Sequence, residues 1–524
     1  MGKIHRITIR FRISLLISLF LLCFIHLSAQ KSVQEIHFKL SVPTPEKQNY
    51  LVEMTIDNWQ GDSLIVKMPK WMPGYYQIMN YADDVRSVSA RSADGSVLKV
   101  EQMNPNTWYI PAKSGYVSIN YEIQTKRKFV AQSFVDEAHG YIAPCNTWLY
   151  IDGQLDLPAT VSVKLPDAWK DIATGLEPVA GTDNGFMAEN FDILFDCPIL
   201  IGNLEELPSF EIQGIKHRFI GYKVGDFDKA AFMDKLKESV EAATKLMGDI
   251  PYRHYTFLAI GPGMGGIEHL NNSTISFDGN RLDSPAAINS MLSFITHEYF
   301  HHYNVKRIRP VEVGPFDYDR ENRTTQLWVS EGLTVYYEYR ILKLAKLIDA
   351  DELLQFYSSD ITASENDPGK VYQSLSESSF RTWDEGPFGV RDGKDTAITY
   401  YEKGPVVGLL LDFAIRDASN NQHSLDDVMR FLYQHYYKEL GRGFTDAEVQ
   451  QACETMAGTK LDEVFEYITT TKPLDYKKYL GYAGLALKEE ISKKDGKKTP
   501  KYILTRLPDP TPRQKEILDS WLNE

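Results

Sequence analysis

His297-Glu-Tyr-Phe-His301 is the segment of this chain best suited to do chemistry. On a helix, residues four apart project from one face, so both imidazoles can reach a single ion. Zinc takes nitrogen or oxygen donors at about 2.0–2.2 Å, and a hydrolytic site supplies three while leaving a fourth position open. Glu298 lies beside the two histidines, where it can take a proton from an attacking water. A third ligand is needed, and Glu331 in Trp328-Val-Ser-Glu-Gly332 is placed to provide it. It opens a second amphipathic helix, Trp328 to about Lys343, whose packing against the first would deliver the carboxylate. The set implies one zinc ion per chain and hydrolysis of a peptide bond.

Chance produces His-Glu-x-x-His in a chain this long about once in fifty times, so the surroundings matter. Ile288-Asn-Ser-Met-Leu-Ser-Phe-Ile-Thr-His297 has helical apolar spacing. Two histidines on a buried face without a metal would be costly polar groups.

The elements that must position these residues follow from the period of the apolar pattern. From Val33 to about Gly221 the period is two, in Ile36, Phe38, Leu40 and Val42, in Tyr116–Ile123 and in Val161–Leu165. Frequent Pro, Gly, Asn and Asp break these runs, which predicts an antiparallel β-sandwich. A helix is then predicted over Asp228–Leu246, closed by Gly248, followed by a strand, Tyr255–Ile260, and a glycine-rich turn, Gly261–Gly266. Ile267–Phe277 reads as an edge strand. Helical spacing recurs over Leu353–Ile361, Gly404–Ile415, Leu425–Tyr437, Asp446–Met456 and Leu461–Thr470. The expected fold class is therefore multi-domain α and β: an N-terminal sandwich, then a thermolysin-like zinc peptidase domain with a helical lobe. The expected divisions are a leader at 1–29, the sandwich at 30–224, the catalytic lobe at 225–348, the helical lobe at 349–478 and a terminal piece at 479–524.

Composition agrees with an ordinary globular chain of several domains: 524 residues, 43% apolar and 24% charged. The net charge of −14 argues against a nucleic-acid partner. Lys3, His5, Arg6, Arg10 and Arg12 precede an apolar stretch, Ile13–Ile25, and then Leu27-Ser-Ala-Gln30. That order predicts a secretory signal peptide cleaved after Ala29, leaving a periplasmic or secreted protein with no stable membrane insertion. Cys145, Cys197 and Cys453 would remain, too few and uneven for a disulfide scaffold. Cys145 and Cys197 either form one bridge or stay as buried thiols.

The extended motif, His297-Glu-Tyr-Phe-His-His-Tyr-Asn-Val-Lys-Arg-Ile-Arg-Pro310, closely resembles the active-site segment of the glycyl aminopeptidase family of gluzincins. Trp328–Glu338 resembles the helix that carries that family's glutamate ligand. Ser374–Trp383, Tyr400–Asp412 and, in the N-terminal part, Lys70-Trp-Met-Pro-Gly-Tyr-Tyr-Gln-Ile-Met-Asn-Tyr81 match further family segments. The resemblance implies an aminopeptidase acting on peptide substrates, with a preference for N-terminal glycine or another small residue. It identifies Gly265-Gly-Ile-Glu-His-Leu-Asn271 as the exopeptidase strand, in which Glu268 grips the substrate amine and Gly265 and Gly266 let the backbone approach the substrate. It also implies a tyrosine that assists the oxyanion, Tyr401 or its neighbour Tyr400.

Other tempting residues carry less. His302 points about 100° away from the ligand face and should pack. His269 should face away from Glu268. Lys306, Arg307 and Arg309 fit a helix C-terminus or a substrate carboxylate. Members of the family often end in a PDZ domain; here Gly484–Lys488 and Ile503–Pro512 resemble its first and last pieces, which predicts a two-stranded remnant and a helix, Pro512–Leu522. Alternative readings are a zinc endopeptidase, or a gluzincin-fold protein that binds peptides or glycans without turnover. The sequence carries no signal for oligomeric state.

Overall fold

The computed structural model describes residues 35–125, 128–388, 396–494 and 497–523, so the expected signal peptide lies outside the described residues. No helix among the described residues is long and apolar enough to cross a membrane.

The N-terminal part is a β-sandwich. An eight-stranded sheet centred on Glu35–Ser41, Asn49–Trp59 and Gly115–Gln124 packs with two four-stranded sheets around one apolar core that includes Phe38, Val66, Trp108, Ile142 and Ile199. Alternation along Glu35–Ser41 buries Ile36, Phe38 and Leu40, as period two requires. The sandwich is not wholly antiparallel, since Glu35–Ser41 pairs in parallel with Ala159–Lys164. Cys145 and Cys197 are buried free thiols, as is Cys453.

The catalytic lobe begins earlier than the period of the sequence indicated. Strand Ile215–Gly221, read as part of the sandwich, pairs in parallel with β1 (His254–Ala259). Between them runs helix α1 (Lys229–Met247), started by the Asp228 side chain, which accepts from the Ala231 N–H, and stopped by Gly248 at φ 76°. The stretch Ile267–Phe277 is not one strand but a hairpin. β2 (Gly266–Glu268) pairs antiparallel with β3 (Asn272–Ile275), and β3 pairs in parallel with β1, which leaves β2 at the sheet edge. Helix α2 (Pro285–Phe300) follows, capped by Ser284 with proline in its first turn.

The second ligand segment opens not as an α-helix but as a π turn, Trp328–Gly332, which runs into α3 (Leu333–Leu344). Behind it lie α4 (Ala350–Asn366), a helix over Leu375–Glu385 and α5 (Tyr400–Ala418). At the C-terminal end, β4 (Leu485–Lys494) and β5 (Lys497–Arg506) form a hairpin. The outer edge of β5 is met by α4, where Ser358 accepts from the Leu504 N–H and Thr362 from the Tyr502 N–H. Helix α6 (Pro512–Asn523) drives Trp521 into the lobe, against Phe413 and Tyr357, with its indole N–H donating to the Tyr336 hydroxyl at 3.1 Å.

Trp521 is 1% exposed. Trp521→Ala should destabilise the helical lobe by about 3–5 kcal/mol through the cavity it leaves. A denaturant melt whose midpoint stays at the wild-type value would contradict this packing account.

Candidate metal centre and active site

His297 and His301 project from the C-terminal turn of α2, and Glu331 comes from the π turn. His297 Nε2 and His301 Nε2 are 3.0 Å apart, His301 Nε2 and Glu331 Oε2 3.3 Å, and His297 Nε2 and Glu331 Oε2 3.6 Å. Donors bonded tetrahedrally at about 2.0–2.1 Å would stand about 3.3 Å from one another, so the three atoms fit one small divalent ion.

The groups behind them set the tautomers. His297 Nδ1 lies 2.8 Å from Glu338 Oε2, and the other oxygen of Glu338 accepts from Ser293 Oγ at 2.8 Å. His301 Nδ1 lies 2.7 Å from the Asn304 carbonyl. With a proton on each Nδ1, both Nε2 lone pairs face the common point. Without a cation there, burial works against charging the imidazoles, yet the Glu331 and Glu338 carboxylates hold His297 well above its ordinary pKa, and Glu331 raises His301. The same pairing overcomes burial at Glu331, which is held far below the usual carboxylate range. Buried unpaired lone pairs and a carboxylate gathered this closely call for positive charge.

Two features place Glu331. The Asn304 amide donates to the carbonyls of Val329 at 2.7 Å and Ser330 at 3.3 Å, both within the π turn. Asn304 thus joins His301, through its carbonyl, to the segment that carries Glu331. On the other side, Gly332 meets Gly404 of α5 so closely that a Cβ on either would lie 2.6–2.7 Å from the other's Cα. That crossing brings Tyr401 up to the site. Its ring centroid is 6.2 Å from that of His297, and burial followed by the Glu331 charge keeps its hydroxyl protonated. Tyr400 is buried, and its hydroxyl pairs with Thr382 Oγ1 at 3.0 Å.

Glu298 is buried, and burial pushes its carboxyl up to about 7 against the pull of the two histidines. Glu268 is no solvent-facing edge residue: it is 4% exposed, and its carboxylate lies within 4.8 Å of ligand atoms of Glu298 and His301. Gly266 sits flat against Glu298, where an added Cβ would fall 2.4 Å from the carboxyl carbon. Gly265 has φ 85°, a conformation that favours glycine.

Sequence reasoning missed the contribution of the sandwich. Met72-Pro-Gly-Tyr75 is a β-turn with Gly74 at φ 90° and the Tyr75 N–H donating to the Met72 carbonyl. A Cβ on Gly74 would lie 2.5 Å from Glu268 Oε2. Next to it, burial and then the charges of Glu331 and Glu268 push the Tyr76 hydroxyl well above its ordinary value, so it stands as a proton donor. The signal was the Trp-Met-Pro-Gly-Tyr-Tyr run itself, a tight turn followed by two aromatic donors.

The remaining sequence candidates are not in the site. His302 packs against Tyr299 and Tyr303, with Nδ1 on the Tyr299 carbonyl. His269 faces Asp196 of the sandwich at 3.2 Å, and Lys306 pairs with the same carboxylate at 2.5 Å. Arg307 donates to the carbonyls of Pro251, Leu270 and His302. The Arg309 guanidinium lies over the Phe316 ring. These cations tie the end of α2 to its neighbours rather than meeting a substrate.

Glu338→Ala should lower divalent-metal affinity by about 10–100-fold, because His297 loses the partner that orients it. Chelator competition measures this, and an unchanged affinity would contradict the assignment.

Two sequence profiles match the chain. The peptidase M61 N-terminal domain covers residues 37–203, and the M61 glycyl aminopeptidase profile covers 290–407. No curated protein sequence matches it. Among solved structures, an aminopeptidase N family protein from Idiomarina loihiensis superposes with a TM-score of 0.82 at 26% identity, over 88% of this chain and 80% of that one. An M1 zinc metallopeptidase from Deinococcus radiodurans, at 13% identity, shares the fold with a TM-score of 0.52 over 84% of this chain and 94% of its own. The chain belongs to the M61 glycyl aminopeptidase family and is a metallopeptidase.

Proposed function

We propose that this protein is an exported, zinc-dependent aminopeptidase that removes an N-terminal glycine, alanine or other small residue from peptides. The observation that carries the reading is the position of Glu268. Its carboxylate lies beside Glu298 and His301, and the Gly74 turn of the sandwich closes directly behind it. A substrate amine can therefore be held there with no room for chain on its far side, which favours an exopeptidase over an endopeptidase. Export rests on the charged and apolar order of residues 3–29, and the preference for a small first residue on the family description.

Zinc held by His297, His301 and Glu331 would supply Lewis acidity toward water and the scissile carbonyl. Glu298 takes the proton of the attacking water and returns it to the leaving amine, a shuttle for which its buried place beside the two histidines suits it. Tyr401 donates its hydroxyl to the developing oxyanion, a role for which Tyr400 is already engaged by Thr382. Glu268 pairs with the substrate α-ammonium by a charge-assisted hydrogen bond.

Hydrolysis of glycyl- and alanyl-p-nitroanilides and their N-acetylated forms tests the reading. Free-amine substrates should be cleaved and acetylated ones spared, and a chelator should stop the reaction. Glu298→Gln should lower kcat by about 10²–10⁴-fold while zinc is retained. Glu268→Ala should weaken cleavage of free-amine substrates and lose the discrimination against the acetylated ones. Bound zinc with no cleavage of either substrate would rule the reading out.

A further inference from the structure

We infer that Phe388 is a positioning residue for Tyr401: its ring, laid against the tyrosine ring, fixes where the hydroxyl meets the developing oxyanion. The inference rests on the aminopeptidase reading above and on the role of Tyr401 within it.

The end of helix Leu375–Glu385 and the residues after it are tied to the start of α5 one contact after another. Thr382 Oγ1 pairs with the Tyr400 hydroxyl at 3.0 Å. The Gly386 N–H donates to the Thr382 carbonyl at 2.7 Å, and Gly386 turns the chain at φ 73°. The Thr399 hydroxyl donates to the Pro387 carbonyl at 2.8 Å and accepts from the Tyr401 N–H at 3.2 Å. The Phe388 ring then stacks on that of Tyr401, with centroids 5.6 Å apart and planes 28° from parallel. Three consecutive residues, Thr399, Tyr400 and Tyr401, thus each meet this segment. The sandwich meets it too. A Cβ on Gly386 would lie 3.1 Å from Gln77 Nε2, and Gln77 Oε1 accepts from the hydroxyl of Tyr75, in the turn that closes behind Glu268.

Phe388 is 66% exposed, so most of the stabilisation that burial gives an aromatic side chain is forgone. Core packing does not explain a large ring at that place, whereas contact with Tyr401 does. The other rings beside Tyr401 meet it at steeper angles: Tyr400 is tilted by 40° with centroids 4.9 Å apart, and His297 by 38° at 6.2 Å. Phe388 is the neighbour that lies nearest to parallel. The Tyr401 hydroxyl stands at the far end of its side chain, so a small swing at χ1 displaces it by on the order of an ångström. That is enough to weaken a hydrogen bond whose value depends on meeting the transition state in place. An offset-stacked partner resists the swing by more than its apolar area alone provides.

The test is a double-mutant cycle on hydrolysis of glycyl-p-nitroanilide by the zinc-loaded full chain. Phe388→Ala should lower kcat by about three- to tenfold at unchanged KM, the scale of one aromatic pair, and Phe388→Trp should restore it. Bound zinc and the denaturant midpoint should stay at wild-type values, since the side chain is exposed. Tyr401→Phe should be slower by about 10²–10³-fold through loss of the donor, and Phe388→Ala should slow that variant no further. A kcat unmoved by Phe388→Ala, a fall just as large in the Tyr401→Phe background, or a rise in KM alone overturns the inference while leaving the aminopeptidase reading intact. Tyr401→Phe as active as wild type removes the role of Tyr401, and this inference with it. Failure of the wild type to cleave the substrate removes the aminopeptidase reading itself.

Discussion

The convergence of two imidazole lone pairs and a carboxylate on one buried point is the constraint to which the rest of the molecule answers. His297, His301 and Glu331 meet at 3.0–3.6 Å with Glu298 and Glu268 alongside. Taken out of water without compensation, such a group would be strongly destabilising. A divalent cation at the centre would offset that cost, and on the proposed reading the neighbouring carboxylates become assets, one moving protons and another holding a positive amine.

Holding that arrangement requires parts from distant stretches of chain. Asn304 binds His301 with its carbonyl and the π turn with its amide, so a displacement of one ligand is felt by another. The π turn widens the helix where Glu331 must reach inward, a use to which such turns are often put at functional sites. The contact of Gly332 with Gly404 lets α5 approach to backbone distance and deliver Tyr401. The sandwich contributes Gly74 and Tyr76, and the Asp196 carboxylate fastens it to His269 and Lys306. The N-terminal part is thus a wall of the active site as well as a neighbour to it.

What the sequence made legible was local. Asp228 and Gly248 bound α1, the metal motif and its helix stand where their spacing puts them, and the terminal hairpin and helix were legible through the resemblance of Gly484–Lys488 and Ile503–Pro512 to family segments. What it hid was long-range. The parallel pairing of Ile215–Gly221 with β1 leaves no trace in a period-two pattern, because alternation records burial and not the partner. The break of Ile267–Phe277 into a hairpin was masked by continuous burial across Asn272–Ile275. Glu338 could have been found, since it lies seven residues after Glu331 and so close to its helical face. Asn304 stood in the extended motif, but its carbonyl and amide roles depend on a turn that propensity does not predict. The place of Tyr76 depends on the docking of two domains, which no local rule encodes.

The central claim is that His297, His301 and Glu331 together hold one zinc ion. The most direct measurement is anomalous scattering at the zinc absorption edge from crystals of the full chain grown with zinc. A single strong peak about 2.0–2.2 Å from His297 Nε2, His301 Nε2 and a Glu331 oxygen is the predicted result. Density at that point absent under saturating zinc, or the ion bound by a different set of residues, would contradict the account.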